Sequence, residues 1–192
     1  MPNDSSTGGF VAATVSDSYD SALDRVLQAA VVGIVGLTGA LVRPRWQPVE
    51  PNQPEHDVNW CAIGMTNVES DAYAYKVHDA AGSGADKMEH DETLTVLTSF
   101  YGPASMTNCQ AFRDGLQVDQ NRETLRAAGI VLATVNDVVP VPVLLAQKWL
   151  RRVDVSFTVR RRVQRTYPTR TLVSASLGLD NEHSAPLITI NP

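Results

Sequence analysis

Apolar residues first recur with helical spacing at Leu23, Val26, Leu27, Ala30, Val31 and Ile34. That i, i+3, i+4 stripe predicts a helix with one buried face, starting near residues 18–21 and ended by Gly36 or Gly39. Residues 58–67 and 71–78 read as strands; in the second, Tyr73, Tyr75 and Val77 alternate with Ala74, Lys76 and His78. The short link between them predicts a hairpin, and residues 79–88 read as a Gly/Ser/Asp loop. Residues 89–101 form the next strand, with Leu94, Val96 and Phe100 on one face and Thr93, Thr95 and Ser99 on the other. Gly102 and Pro103 break it, and Pro103 suits the first turn of a helix. Met106, Cys109, Phe112 and Leu116 mark that helix's buried stripe, with Gly115 placed for close packing.

Asp119 is positioned to cap a short helix over residues 120–128, ended by Gly129. Residues 130–135 are β-branched and extended, and residues 138–145 form a proline-containing connection. Residues 149–163 alternate clearly: Val153, Val155, Phe157, Val159 and Val163 face one way, against Asp154, Ser156, Thr158, Arg160 and Arg162. Arg161 falls on the apolar side. Residues 172–179 suggest a last strand before an irregular tail. Pro44 and Pro48 keep residues 41–50 out of a central strand. The order predicts a single α+β domain, a mostly antiparallel sheet with helices packed on one face. Its expected bounds are 18–179, after an N-terminal arm over 1–17 and before a tail over 180–192. The arm either orders against a neighbouring subunit or simply frays.

Composition narrows the class without naming a chemistry. With 192 residues, 43% hydrophobic and 19% charged, the chain is long enough for a real core. Residues 26–42 are apolar enough to suggest a membrane span. They hold three glycines and number 17, short of the roughly 20 a span needs. No basic region precedes an apolar core at the N-terminus, which argues against a secretory signal. Cys61 and Cys109 read as buried free thiols in a reducing compartment, and the four histidines lack metal-ligand spacing. No nucleophile-elbow, zincin or nucleotide fingerprint occurs, and the segment Gly82 to Lys87 lacks phosphate-loop spacing. Trp46, Trp60 and Trp149 read as core or interface anchors.

Charge is the unusual feature. Residues 148–170 carry a local +7 and the rest of the chain −12, for a net −5. Arg151, Arg152, Arg160, Arg161, Arg162 and Arg165 are therefore candidate contacts. Three uses stay open: phosphate contact with nucleic acid, pairing with the acidic half of a neighbouring copy, and a charged edge that blocks aggregation. Aromatic residues are not interleaved along this run as in a single-strand binder.

Four stretches together resemble the neck or tail terminator family of tailed bacteriophages. They are LTVLTSFYG at 94–102, FRDGLQ at 112–117, QNR at 120–122 and WLRRVDV at 149–155. The resemblance covers roughly residues 20–175. It implies a non-enzymatic virion protein without cofactors, assembled in the host cytoplasm and placed at the neck. Six copies would form a ring that caps the tail tube, joins the head-side connector and leaves a channel for DNA. The implied partners are its own copies, the tail tube protein, a head-side connector or adaptor and, in a contractile tail, the sheath; no membrane is implied. The motif residues Phe100, Tyr101, Gly102, Phe112, Arg113, Asp114, Gly115, Gln120, Asn121 and Arg122 look structural. Gly102 would permit the turn and Phe100 and Phe112 would pack it. Arg113, Asp114, Asn121 and Arg122 would brace the helices or a subunit contact. The alternatives are a head-completion adaptor, a tail-tube subunit, or a nucleic-acid-binding module using strand 151–170. A small hydrolase has no positive support.

Overall fold

The computed structural model describes residues 3–15, 17, 19–47, 53–145, 147–172, 174–177 and 188–190. Its helices are α1 (Ser21–Val35), α2 (Ser105–Gly115) and α3 (Asp119–Ala127). The strands are β1 (Val42–Pro44), β2 (Trp60–Ser70), β3 (Tyr75–Asp79), β4 (Ala85–Tyr101), β5 (Val131–Pro140), β6 (Val143–Leu145), β7 (Lys148–Leu150), β8 (Arg152–Tyr167), β9 (Ala175–Leu177) and β10 (Ile188–Ile190). The chain divides into two compact units. The larger takes Asp17–Tyr73 and His90–Val163; the smaller takes Met1–Ser16, Ala74–Glu89 and Gln164–Pro192.

The larger unit is the expected α+β assembly. Its sheet runs β1-β2-β4-β8-β5, antiparallel except for the parallel β1–β2 pair. Pro44 is tolerated because β1 is an edge strand. Strand alternation puts Cys61, Ile63, Leu94, Val96, Phe100 and the valines of β8 on one face, and the three helices cover it. Phe112 of α2 is the keystone: its ring lies 5.7 Å from Phe100 and 5.7 Å from Phe157. Gly36 ends α1 in the left-handed region, at φ 78°. Gly115 does serve close packing: a Cβ there would lie 2.2 Å from Cγ2 of Ile34.

Several expectations are corrected. The hairpin between residues 58–67 and 71–78 does not form. β2 pairs with the second part of β4, from Trp60 opposite Tyr101 to Ser70 opposite Glu92, and β3 pairs with the first part. Alternation reveals which face a residue takes, not which strand lies beside it, and the 17 residues of β4 accommodate both partners. The loop at 79–88 shrinks to a turn, since Ala85 to Met88 already belong to β4. Met106 is exposed, and Ser105 takes its place in the buried stripe. Val118 occupies the N-cap of α3; Asp119 lies inside the first turn and makes no side-chain cap. β5 extends to Pro140, and residues 143–145 pair with β7 rather than forming a plain connection. The tail, expected to be irregular, contributes β10, which pairs with β9; the rest of it lies outside the described residues.

In the smaller unit, β3 and the start of β4 form a hairpin around Asp86. Lys76 Nζ lies 2.6 Å and His78 Nδ1 2.7 Å from its carboxylate, and Lys76 above all holds the Asp86 carboxyl down to about 2. The N-terminal stretch hydrogen-bonds to the end of β8 and beyond it: the Thr14 N–H donates to Thr166 O at 2.8 Å, and Arg170 meets Asp4 at 2.8 Å.

One charged cluster is buried in the larger unit. Glu92 accepts hydrogen bonds from the Tyr19 hydroxyl and from Arg161 Nε at 3.0 Å, with His90 Nε2 3.4 Å away; Arg161 also stacks over the Tyr19 ring. Burial alone would raise the Glu92 carboxyl; the Tyr19, Arg161 and His90 contacts outweigh it and hold it below its ordinary value. Its contribution to stability is therefore complete above the unfolded-state value and is lost as pH falls through the lowered folded-state value.

Two outcomes follow. Glu92→Gln leaves Arg161 buried without its counter-charge, and urea unfolding near neutral pH is expected to show a loss of about 3 kcal/mol. The gap from wild type should narrow as the medium is acidified below the ordinary carboxylate range. Gly115→Ala adds about 1 kcal/mol of helix propensity but overpacks Ile34, which costs about 1–3 kcal/mol. It should destabilise the wild-type background and become neutral or stabilising with Ile34→Ala, measured by the same unfolding midpoints.

Candidate interaction surfaces

The turn after β4 admits only glycine. Gly102 has φ 98°, and a Cβ would stand 2.5 Å from Val58 O and 2.8 Å from Asn59 Oδ1. That same Oδ1 accepts the Ala104 N–H at 2.8 Å, so Asn59 satisfies a donor at the start of α2. The Gly102 N–H donates to Arg151 O, tying the turn to the residue just before β8.

Next to this turn, on the sheet face away from the helices, four neighbouring strands contribute one stacked row. Trp60 of β2 and Tyr101 of β4 are register partners whose rings stack at 4.1 Å and 6°. Arg43 of β1 caps the Trp60 ring at 6.0 Å, and Arg152 of β8 caps Tyr101 at 5.8 Å. Arg152 is held by both Asp154 oxygens, at 2.8 and 2.7 Å; that bond raises its pKa against the opposing effect of burial. Two stacked rings lie between two guanidinium groups here, but the row runs across strands, so no periodicity along the chain signals it. Between them, the two arginines and two rings fasten β1, β2, β4 and β8 in register.

The arginine-rich segment divides into used and open side chains. Arg161 is buried on Glu92, Arg162 meets Asp91 at 3.2 Å and Arg152 meets Asp154. Arg151 and Arg160 are exposed, and Arg165 is partly buried in the smaller unit. Among the helix motif residues, Asn121 Nδ2 donates to Gly115 O at 2.8 Å and so braces the α2–α3 turn. Arg113 Nε reaches Asn136 O at 3.4 Å and lies 3.9 Å from both Asp114 and Asp137; Arg122 lies 4.0 Å from Asp119. These aspartates are 75%, 98% and 94% exposed, a carboxylate patch beside edge strand β5. Gln120 is exposed on α3 and offers its main-chain carbonyl to Thr124 Oγ1.

Among the described residues, the thiols and the one hydroxyl–imidazole–carboxylate chain are held in structural contacts. The thiols of Cys61 and Cys109 are buried and unpaired; burial drives Cys61 well up and Cys109 to about 12, which removes the reactive thiolate. In the smaller unit Thr171 Oγ1, His78 and Asp86 form a hydroxyl–imidazole–carboxylate chain, at 2.9 and 2.7 Å. Gly84 presses on that hydroxyl so closely that a Cβ would lie 2.6 Å from it, and Lys76 shares Asp86. The chain is a strut between the β3–β4 hairpin and residues 169–171.

The sequence model of a family described as phage neck terminator protein matches residues 21–182. A search of curated proteins found no match.

The stacked row yields a direct comparison. Trp60→Ala is expected to cost about 3 kcal/mol, because it empties a covered site between two strands. Trp46→Ala and Trp149→Ala, at side chains that are 70% and 71% exposed, should stay within about 0.5 kcal/mol in the same denaturation assay.

Proposed function

We propose that this chain, which belongs to the phage neck terminator protein family, forms a homo-oligomeric ring that ends the tail tube and joins it to the head side. Family membership makes it a structural protein of the bacteriophage virion neck, working through contacts with other phage head and tail proteins. The reading goes further: a hexameric ring with an axial channel for DNA, meeting the tail tube protein on one side and a head-side connector or adaptor on the other. In a contractile tail the sheath is a further neighbour.

One observation carries this reading. The family match spans residues 21–182, taking in α1 to α3 and every strand of the helix-covered sheet. Surface charge supports the ring. Asp114, Asp119 and Asp137 are exposed, with Arg113 or Arg122 3.9–4.0 Å away, while Lys148, Arg151 and Arg160 are exposed on other segments. A subunit with both signs on separate elements suits a head-to-tail contact between copies, which closes when the rotation allows. A nucleic-acid module built on residues 151–170 has less support, since Arg152, Arg161 and Arg162 already serve carboxylates within the chain.

Negative-stain images of the purified protein should show single rings with an axial hole. Long tubes would favour a tube subunit instead, and isolated particles at all concentrations would remove the ring. Raising salt from about 0.1 M to about 1 M shortens the screening length from about 10 Å to about 3 Å. The ring population in sizing chromatography is expected to fall over that range; a distribution indifferent to salt would remove the electrostatic part.

A further inference from the structure

α1 carries a glycine that its own chain does not use. Gly33 lies within the helix, where glycine is less favourable than alanine, and a Cβ there would meet nothing within 4 Å. Gly115 is the opposite case, since its Cβ would strike Ile34. A helical glycine that clears no contact inside the chain suits the close approach of another chain. Arg25, Ala29 and Gly33 follow at i, i+4 and i+8, and all three are exposed. With Ala30, Ile34 and Leu125 of α3, they line a groove of about 440 Å³, within the roughly 300–1,000 Å³ of binding pockets. Arg25 is the one charged residue of that lining, and it has no ion-pair partner among the described residues. A complementary surface needs an apolar side chain at one end and a carboxylate about 12 Å away, the rise of eight helical residues at about 1.5 Å each.

The outer face of α2 has that form. Met106, Gln110 and Asp114 stand at the same i, i+4, i+8 spacing and are exposed, Met106 at 43% and Asp114 at 75%. Met106 is the residue that spacing assigned to the core and that the fold leaves outside, with Ser105 turned inwards instead. Methionine is unbranched and adapts to irregular apolar space. Asp114 lies 3.9 Å from Arg113, at the edge of ion-pair range, and its carboxylate stays open to a second cation. Rows of i±4 residues are the ridges that interdigitate in the commonest class of helix packing.

We propose that α2 of one copy docks on the α1–α3 groove of a second copy, with α2 and α1 running in opposite directions. Met106 then enters the groove beside Gly33, Gln110 crosses Ala29 and Asp114 meets Arg25. The reverse direction would set Arg25 against Met106 and bury Asp114 at Gly33, so the charge pair selects the orientation. The proposal rests on the self-association in the ring reading above and names its contact. Row and groove share no residue, so every copy offers both.

The test uses full-length chains carrying Arg25→Glu or Asp114→Arg. Both sites are exposed, so each variant should keep the parent's far-ultraviolet spectrum. Alone, each variant sets like charges together at the contact, and its dissociation constant by light scattering should rise about tenfold or more. Mixed in equal amounts, the two should assemble as the parent does, because each groove again finds a row of opposite sign. Both substitutions in one chain should restore assembly for the same reason. Assembly unchanged in the single variants, or no recovery in the mixture, would overturn the contact. Gly33→Leu adds bulk to the groove without touching its own chain, and it should also abolish assembly; oligomers indifferent to it would remove the groove as the seat. A parent that is monomeric at every concentration would overturn the ring reading as well, which separates the two failures.

Discussion

Phe112 holds the helices to the sheet. It reaches down from α2 to meet Phe100 on β4 and Phe157 on β8, the two strands at the middle of the sheet order. Edge-on contacts of this kind add to the burial of large apolar area and are selective in geometry. With α2 fixed over that seam, α1 follows because Gly115 lets Ile34 come close, and α3 follows because Asn121 ties back to Gly115. The opposite face of the sheet is free to carry its own chemistry, the Arg43–Trp60–Tyr101–Arg152 row.

What could be read from the chain was whatever depends on near neighbours in sequence. The valines of β8, the break at Gly102, a stop at one of two glycines, which is Gly36, and the buried side of α2 apart from Met106 follow from spacing or from one residue's conformational range. Partnership between distant segments was not legible. β2 and β3 both read as strands and both pair with β4, but β3 has no buried apolar face to announce its partner, since Tyr75 and Val77 stay exposed. Arg161 stood out as a charge on an apolar face, but its answer, Glu92, lies 69 residues away on another strand. The stacked row was invisible for the same reason: Arg43, Trp60, Tyr101 and Arg152 come from four strands, and only register makes them neighbours.

The arginine-rich segment illustrates how a sequence anomaly divides once folded. Some of its charge is internal, spent on Glu92, Asp91 and Asp154, and stabilises the sheet. The remainder is open at Arg151 and Arg160, beside the apolar hairpin in the first case and beyond the helix-covered face in the second. Local net charge therefore overstated what the surface offers a partner, and the uncharged Leu144 and Trp149 were the less conspicuous part of the same region.

The two sulfhydryls have a consequence for the particle's lifetime. A virion leaves its host for air-equilibrated water, where accessible thiols oxidise and cross-link at random. Cys61 and Cys109 are sealed beneath the helices and kept protonated. With both of its cysteines in this state, the subunit offers no accessible thiol for random cross-linking to its neighbours.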